Sequence, residues 1–80
     1  MAIEYRHDEF DLMYNDLKKA GFKILNLNGL PSNAIGAFNP ILNCCLAIHY
    51  NPKWKIEPMG VDNEKGFRVL EEVVAERMSK

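Results

Sequence analysis

The chain has 80 residues, of which 48% are hydrophobic and 26% charged, and its formal net charge is −1. This length gives room for one domain, residues 1–80, and the composition is that of a folded protein. The near-neutral charge creates no long-range field toward nucleic acids or acidic membranes. No apolar run approaches the roughly 20 residues of a membrane span, and the charged start MAIEYRHDEF does not fit a secretory signal.

The first predicted element is an amphipathic helix from Asp8 to Ala20, preceded by a short lead-in over residues 1–6. Apolar side chains recur along it at three- and four-residue spacing and form one stripe, made of Phe10, Met13, Tyr14, Leu17 and Ala20. Asp8 is a suitable N-terminal cap, and Gly21 supplies the left-handed stop that commonly follows a helix.

A first strand is predicted from Phe22 to Leu27, and a long loop follows it. Pro31 cannot donate a backbone hydrogen bond to a sheet, so the segment after Leu27 is a loop or a sheet edge. This loop contains Leu30 and Asn33, and long loops more often carry contacts than short ones do. The stretch from Ala34 to Phe38 is a candidate second strand.

The segment from Ile41 to Tyr50, ILNCCLAIHY, is the longest nearly continuous apolar run and predicts the central strand. With a period of two, its first face is wholly apolar and consists of Leu42, Cys44, Leu46, Ile48 and Tyr50. Its second face is small and partly polar, and consists of Ile41, Asn43, Cys45, Ala47 and His49. We expect the first face to lie in the core and the second to be open to a partner.

A last strand is predicted from Trp54 to Met59, with Trp54 buried, and a second helix from Asn63 to Met78. Asp62 or Asn63 would cap this helix, whose core stripe consists of Phe67, Leu70, Val74 and Met78. Val69 and Val73 widen the apolar arc to about half of the circumference, beyond the ~100° that a surface helix needs. This valine strip either contacts another chain or is covered by the loop or the N-terminal residues.

The order of helix, strands and helix predicts an α+β fold. Short connections favour an antiparallel meander, and a sheet with one apolar face needs cover, which two amphipathic helices can provide. We therefore expect a two-layer sandwich in which a three- to four-stranded antiparallel sheet is flanked by an N-terminal and a C-terminal helix.

Cys44, Cys45 and His49 carry the side chains most suited to metal binding or nucleophilic catalysis. Adjacent strand residues face opposite ways, which separates the two cysteines, and Cys45 and His49 lie more than ~13 Å apart along a strand. The sequence therefore predicts no metal site, no cofactor and no catalytic set, and we expect a protein that is not an enzyme. Two adjacent cysteines form no disulfide framework, so reduced thiols and a cytoplasmic location are expected.

The favoured interpretation is a small protein-binding module that inhibits or regulates a larger protein or complex. Phage-encoded inhibitors of host defence are one class of this size and simplicity. The predicted contact residues lie on the valine strip, the outer strand face and the long loop, and are Val69, Val73, Asn43, Cys45, Ala47, His49, Lys53, Lys55, Leu30 and Asn33. A homodimer formed through the second helix is compatible with the same pattern.

The alternative interpretation is a small nucleic-acid-binding regulator that uses Lys53 and Lys55 beside His49. Single-strand binders place aromatic side chains on the exposed side of a sheet so that bases can stack. Here Tyr50 and Trp54 are expected in the core, which leaves a modest basic strip without a stacking platform. This interpretation is therefore the weaker of the two.

Overall fold

The computed structural model describes residues 2–25 and 34–79. Within these ranges the chain forms five strands and two α-helices, in the order β1 (Ile3–Tyr5), α1 (Phe10–Lys19), β2 (Lys23–Leu25), β3 (Ala34–Asn39), β4 (Cys44–Tyr50), β5 (Trp54–Pro58) and α2 (Glu64–Met78). A short 3-10 turn, Val61–Asn63, precedes α2.

The strands form one antiparallel sheet with the spatial order β1-β5-β4-β3-β2. The last four strands are paired in sequence order as a meander, whereas β1 pairs with β5. It follows that β1 and β2 run in the same direction at opposite edges, and α1 connects them across the sheet. An apolar row crosses four strands because the register places Ile3 opposite Ile56, Ile56 opposite Ile48, and Ile48 opposite Ile35.

Both helices pack on one face of this sheet, so the predicted two-layer α+β sandwich is confirmed. The fully buried side chains lie between the layers and include Met13, Leu17, Leu46, Ile48, Ile56, Phe67 and Leu70. Burying each of these side chains contributes roughly 1.5–3 kcal/mol to folding. Neither helix in the described part of the chain is long and apolar enough to cross a membrane.

The sheet has five strands rather than the predicted three or four, because residues 3–5 form β1 instead of a lead-in. This strand has only three residues, and its partner β5 begins about fifty positions later in the chain. A short apolar-polar-apolar alternation carries little local signal, and only the distant pairing converts it into a strand.

The central strand begins at Cys44, and the prediction that it begins at Ile41 is wrong. Pro40 and the three residues after it form a turn, which the carboxamide of Asn39 holds in place. The Asn39 Oδ1 atom accepts hydrogen bonds from the backbone N–H groups of Ile41 and Leu42, both at 3.0 Å. Asn43 closes the turn with a φ of 55°, a left-handed conformation that asparagine tolerates better than most residues.

Both α-helices begin one or two residues after the predicted N-terminal residue, and neither cap residue bonds its own helix through its side chain. The first helix begins at Phe10, and Glu9 rather than Asp8 occupies the cap position. Gly21 has a φ of 90° and ends the helix as predicted. Asn63 precedes α2, but its side chain accepts from the backbone N–H of Cys45 and donates to the carbonyl of Met59, both at 2.9 Å. It thereby ties the end of the sheet to the start of α2.

The close approach of α2 to the sheet depends on Gly66. A Cβ atom at this position would lie 2.7 Å from the Cβ atom of Cys44 and 3.2 Å from the ring of Phe22. These neighbours are themselves buried, so they have little room to move. The absence of a side chain at Gly66 therefore sets the distance between the helix and β4.

A buried clasp joins β1, α1 and α2 through the carboxylate of Asp16, which is 4% exposed. The hydroxyl of Tyr5 donates to Asp16 at 2.7 Å. The guanidinium of Arg77 donates through Nε to both carboxylate oxygens at 3.0 Å and lies 2.9 Å from one of them through Nη2. Arg77 lies on the apolar arc of α2, and its charge is partnered by Asp16 instead of extending only into water.

The clasp predicts a loss of stability at high pH. Burial and, secondarily, the hydrogen bond and charge of Asp16 raise the pKa of Tyr5 above its ordinary value of 10.0. The folded state therefore favours the neutral phenol, so this contribution is complete below pH 10 and is lost as the pH rises through the higher folded value. The loss begins near pH 10, where the phenol of the unfolded chain starts to ionise, so we expect urea denaturation between pH 8 and about 11 to show its onset in the native chain. The variant Tyr5→Phe has no phenol to ionise, so its stability should fall less over this pH range. An identical pH dependence of stability in both proteins would contradict the role given to Tyr5.

Candidate functional site

The sheet face turned away from the helices is the candidate site. Strand alternation and register place eleven side-chain positions on it, namely Glu4, Lys23, Leu25, Ala34, Gly36, Phe38, Cys45, Ala47, His49, Lys55 and Glu57. We call this surface the open face. No helix in the described part of the chain packs against it, since both helices contact the opposite side.

The half of the open face nearer to β2 is apolar except for Lys23, which is exposed at the β2 edge. We call its six other residues, Leu25, Ala34, Gly36, Phe38, Cys45 and Ala47, the apolar strip. Leu25 is 39% exposed, and Phe38 and Cys45 are half-buried. Gly36 and Ala47 face each other across β3 and β4 and are small, so the middle of the strip is flat. A solvated sheet face is normally polar, and a continuous apolar area on one is typical of an interaction surface.

The half of the open face nearer to β1 is charged. Glu57 lies between two cationic or donor groups, with its Oε1 atom 3.4 Å from Lys55 Nζ and its Oε2 atom 3.9 Å from His49 Nε2. These side chains are between about a third and a half exposed. Pairs this exposed stabilise a fold by less than about 1 kcal/mol each. Their larger effect would be on the orientation of a partner.

A depression of about 370 Å³ opens at the charged end of the face. It is lined by His49, Asn51, Lys53, Lys55 and Glu57. The turn between β4 and β5 brings Asn51 and Lys53 next to the strand residues, because its carbonyl at Lys53 accepts the backbone N–H of Asn51 at 3.1 Å. The depression and the apolar strip meet where His49 follows Ala47 along β4.

The two cysteines lie on opposite sides of the sheet, as the strand alternation predicts. Cys44 is fully buried beneath α2, and Cys45 is half-buried on the open face. Cys45 and His49 are four residues apart on β4, which is too far for a nucleophile and its base. Within residues 2–25 and 34–79, no three histidine, cysteine or acidic side chains are placed to share a metal ion.

The predicted contact residues are distributed over several places. Four of them, Cys45, Ala47, His49 and Lys55, lie together on the open face. Lys53 is in the adjoining turn. Asn43 was predicted on this face, and that prediction is wrong. Asn43 lies in the turn that Asn39 holds, before β4 begins. Leu30 and Asn33 lie outside the described residues.

The valine strip of α2 is closer to the core than to a free surface. Val69 and Val73 are half-buried and pack against the hydrophobic core. Charged substitutions there would therefore affect folding as well as any contact with another chain. Their contribution to binding stays a prediction.

Seven residues of the open face were not predicted as contacts, although the sequence carries a usable signal for several of them. They are Glu4, Lys23, Leu25, Ala34, Gly36, Phe38 and Glu57. In the sequence AIGAF, a period of two sends Ile35 and Ala37 to the core and the other three side chains outward. With Ala34 to Phe38 as a strand, this alternation predicts that Phe38 faces outward.

An aromatic group at one end of the helix layer also departs from expectation. Tyr50 was expected in the core and is 38% exposed, whereas Trp54 is half-buried and packs against the core. Their ring centroids are 4.7 Å apart, and Phe10 lies 5.1 Å from Trp54. This group stands at the same end of the sheet as the turn that carries Lys53, because that turn connects Tyr50 with Trp54.

Comparison of the chain with protein families, with curated proteins and with solved structures found no match in any of the three. What the open face could bind is therefore inferred from its own residues and from their geometry.

Proposed function

We propose that the protein is a non-enzymatic binding module that inhibits or regulates a larger protein, and that it contacts this partner with the open face. The observation that carries the proposal is the apolar strip on a sheet face that neither helix covers. The opposite face already has its full hydrophobic core, so the strip is not needed to bury the helices. Apolar area of this kind is stabilised when another molecule removes it from water.

The size of the face favours a larger protein over a second copy of this chain. The eleven outward positions of the face, spaced about 4.8 Å between strands and about 6.8 Å along each strand, span roughly 360 Å². Two copies packed face to face would bury about twice that area, which is within the range of crystal contacts. A larger partner can continue past the rim onto the turn at Lys53 and reach the ~800 Å² per partner of a stable complex.

The proposal includes a cytoplasmic location. It is supported by the two cysteines, which are both unpaired and are held on opposite sides of the sheet. An oxidising compartment would favour disulfide formation, between chains if not within one.

The nucleic-acid alternative is supported by one observation, the presence of Lys53, Lys55 and His49 around a single depression. Against it, Phe38 is the one aromatic residue at the described positions of the open face, and it lies at the opposite, apolar end. Bases would find no row of rings on which to stack. We therefore keep nucleic acid as the second candidate.

The test is a variant that changes the centre of the open face on the side away from the helices. Ala47 is only 8% exposed, because its neighbours on the open face surround it. Ala47→Arg places a long cationic side chain there, and its flexible stem lets the charged head extend to water. We expect a purified partner that binds the native chain to bind this variant at least about 100-fold more weakly, because a desolvated charge would oppose the contact. The partner is first isolated by affinity capture and identified by mass spectrometry, and the affinities are then measured by calorimetry.

The matched control is Lys65→Glu, a charge change on the exposed side of α2. It should leave the affinity unchanged. Thermal unfolding of both variants separates loss of binding from loss of structure. Retention of full affinity by folded Ala47→Arg would contradict the proposal, and so would equal weakening by the α2 control.

A further inference from the structure

The charged end of the open face has an electrostatic asymmetry that narrows the chemistry of its partner. The depression at this end is lined by two lysines, Lys53 and Lys55, and by one glutamate, Glu57. The chain as a whole has a net charge of −1, so the depression is cationic within a slightly acidic molecule.

The carboxylate inside the depression is already partnered. Glu57 lies within ion-pair distance of Lys55 on one oxygen and near His49 on the other. Lys53 is exposed and has no ion pair with any other residue of the described ranges. Asn51 adds a carboxamide that can donate to an anion. The depression therefore has an uncompensated positive charge and donors, while its own negative charge is neutralised locally.

We propose that this depression receives a carboxylate side chain of the protein partner, with Lys53 as its ion-pair partner and the carboxamide of Asn51 as a hydrogen-bond donor. The inference rests on the proposed function, because the partner's apolar residues would cover the adjoining apolar strip. The segment recognised is thus one in which aspartate or glutamate directly neighbours aliphatic or aromatic side chains. Charge complementarity of this kind selects among partners that would fit the apolar strip equally well.

A peptide selection tests the inference without knowledge of the partner. A random twelve-residue peptide library is selected against the native chain and against three variants, Lys53→Glu, Ala47→Arg and Lys65→Glu. Lys53→Glu reverses the uncompensated charge and leaves the Lys55–Glu57 pair in place. We expect the native chain and Lys65→Glu to enrich peptides that combine acidic and apolar residues. Lys53→Glu should bind those peptides roughly tenfold more weakly and should enrich basic residues instead.

The outcomes separate this inference from the proposed function. Enrichment that depends on Ala47 but shows no acidic preference, or is unchanged by Lys53→Glu, overturns the carboxylate inference and leaves the open face as a binding surface. Enrichment that Ala47→Arg does not affect, or the absence of enrichment, overturns both. A fluorescent twelve-nucleotide DNA strand is measured in parallel. Salt-sensitive binding of this DNA that Lys53→Glu abolishes would overturn both in favour of the nucleic-acid alternative.

Discussion

Replacement of Asp16 by alanine is expected to lower the free energy of unfolding by about 3 kcal/mol. The substitution removes the acceptor for the buried hydroxyl of Tyr5 and the ion-pair partner of Arg77 at the same time. The loss should be at the lower end of the range for buried ion pairs, because the side chain of Arg77 is 33% exposed and can turn toward water. For a chain of this size such a loss is a large fraction of total stability. Chemical denaturation at neutral pH measures it.

A double-mutant cycle identifies which partner of Asp16 carries the effect. Tyr5→Phe removes one hydrogen bond and should cost about 1 kcal/mol. Arg77→Met keeps the aliphatic length of the side chain but leaves the carboxylate without its cation. The Asp16→Asn variant, which keeps the size of the side chain, should lie between the native chain and Asp16→Ala. If the losses in the free energy of unfolding from Asp16→Ala and Arg77→Met were simply additive in the double variant, the two side chains would not be coupled. That result would contradict the proposed role of the Asp16–Arg77 ion pair.

The second large effect is expected at Asn39, whose side chain is 3% exposed and makes three hydrogen bonds. Its Nδ2 atom donates to the carbonyl of Ala20 at 3.1 Å, which ties the end of α1 to the sheet. Its Oδ1 atom holds the turn before β4. Asn39→Ala should lower the free energy of unfolding by about 2–4 kcal/mol, because the carbonyl of Ala20 and the two part-buried N–H groups of the turn would lose their partners. Urea denaturation of the variant gives this value.

The Asn39→Asp variant distinguishes the two roles of this side chain. It retains an oxygen that can accept from Ile41 and Leu42, but it replaces the donor to Ala20 with a carboxylate oxygen next to a carbonyl. We therefore expect Asn39→Asp to destabilise the protein at neutral pH and to recover part of the loss in mild acid, where the carboxyl group becomes a donor. Equal stability of the native chain and Asn39→Asp would show that the bond to Ala20 contributes little.

The amphipathic helices and the core strand were predictable because their signals are local. The stripe of α1, the stop at Gly21 and the alternation after Cys44 each follow from neighbouring residues. These patterns are sufficient for the layer architecture, since each buries one apolar side against another. The predicted helix and strand boundaries differ by only a few residues from those observed, except where a side chain supplies a bond that the pattern does not encode.

The edge strand β1, the turn before β4 and the Asp16–Arg77 ion pair were not predictable, because each depends on contacts that a local sequence pattern does not encode. The three residues of β1 become a strand only through pairing with β5. Asn39 removes Asn43 from the strand through hydrogen bonds to the turn between them. Arg77 lies within the apolar arc of α2, and its partner Asp16 is 61 positions away in the sequence. Asp16 carries a charge and is not part of the apolar stripe of α1, so its burial has no local signal.

The candidate site was predicted in part for the same reason. The outward face of β4 follows from one strand and gave Cys45, Ala47 and His49. The extent of the open face follows from the register of β2, β3 and β5 against β4, which a sequence pattern does not specify. The apolar strip therefore became visible only when Leu25 and Phe38 were placed beside Ala47.

The location of β1 also bears on how the chain folds. Three of the four strand pairs join neighbours in sequence, whereas Ile3 pairs with Ile56 after an intervening helix and three strands. Contacts of such long sequence separation form late, because much of the chain must be ordered first. Until β1 docks, β5 is an edge with unpaired backbone groups that can template association with another chain. The yield on refolding at high concentration should therefore depend on how quickly these three residues reach their place.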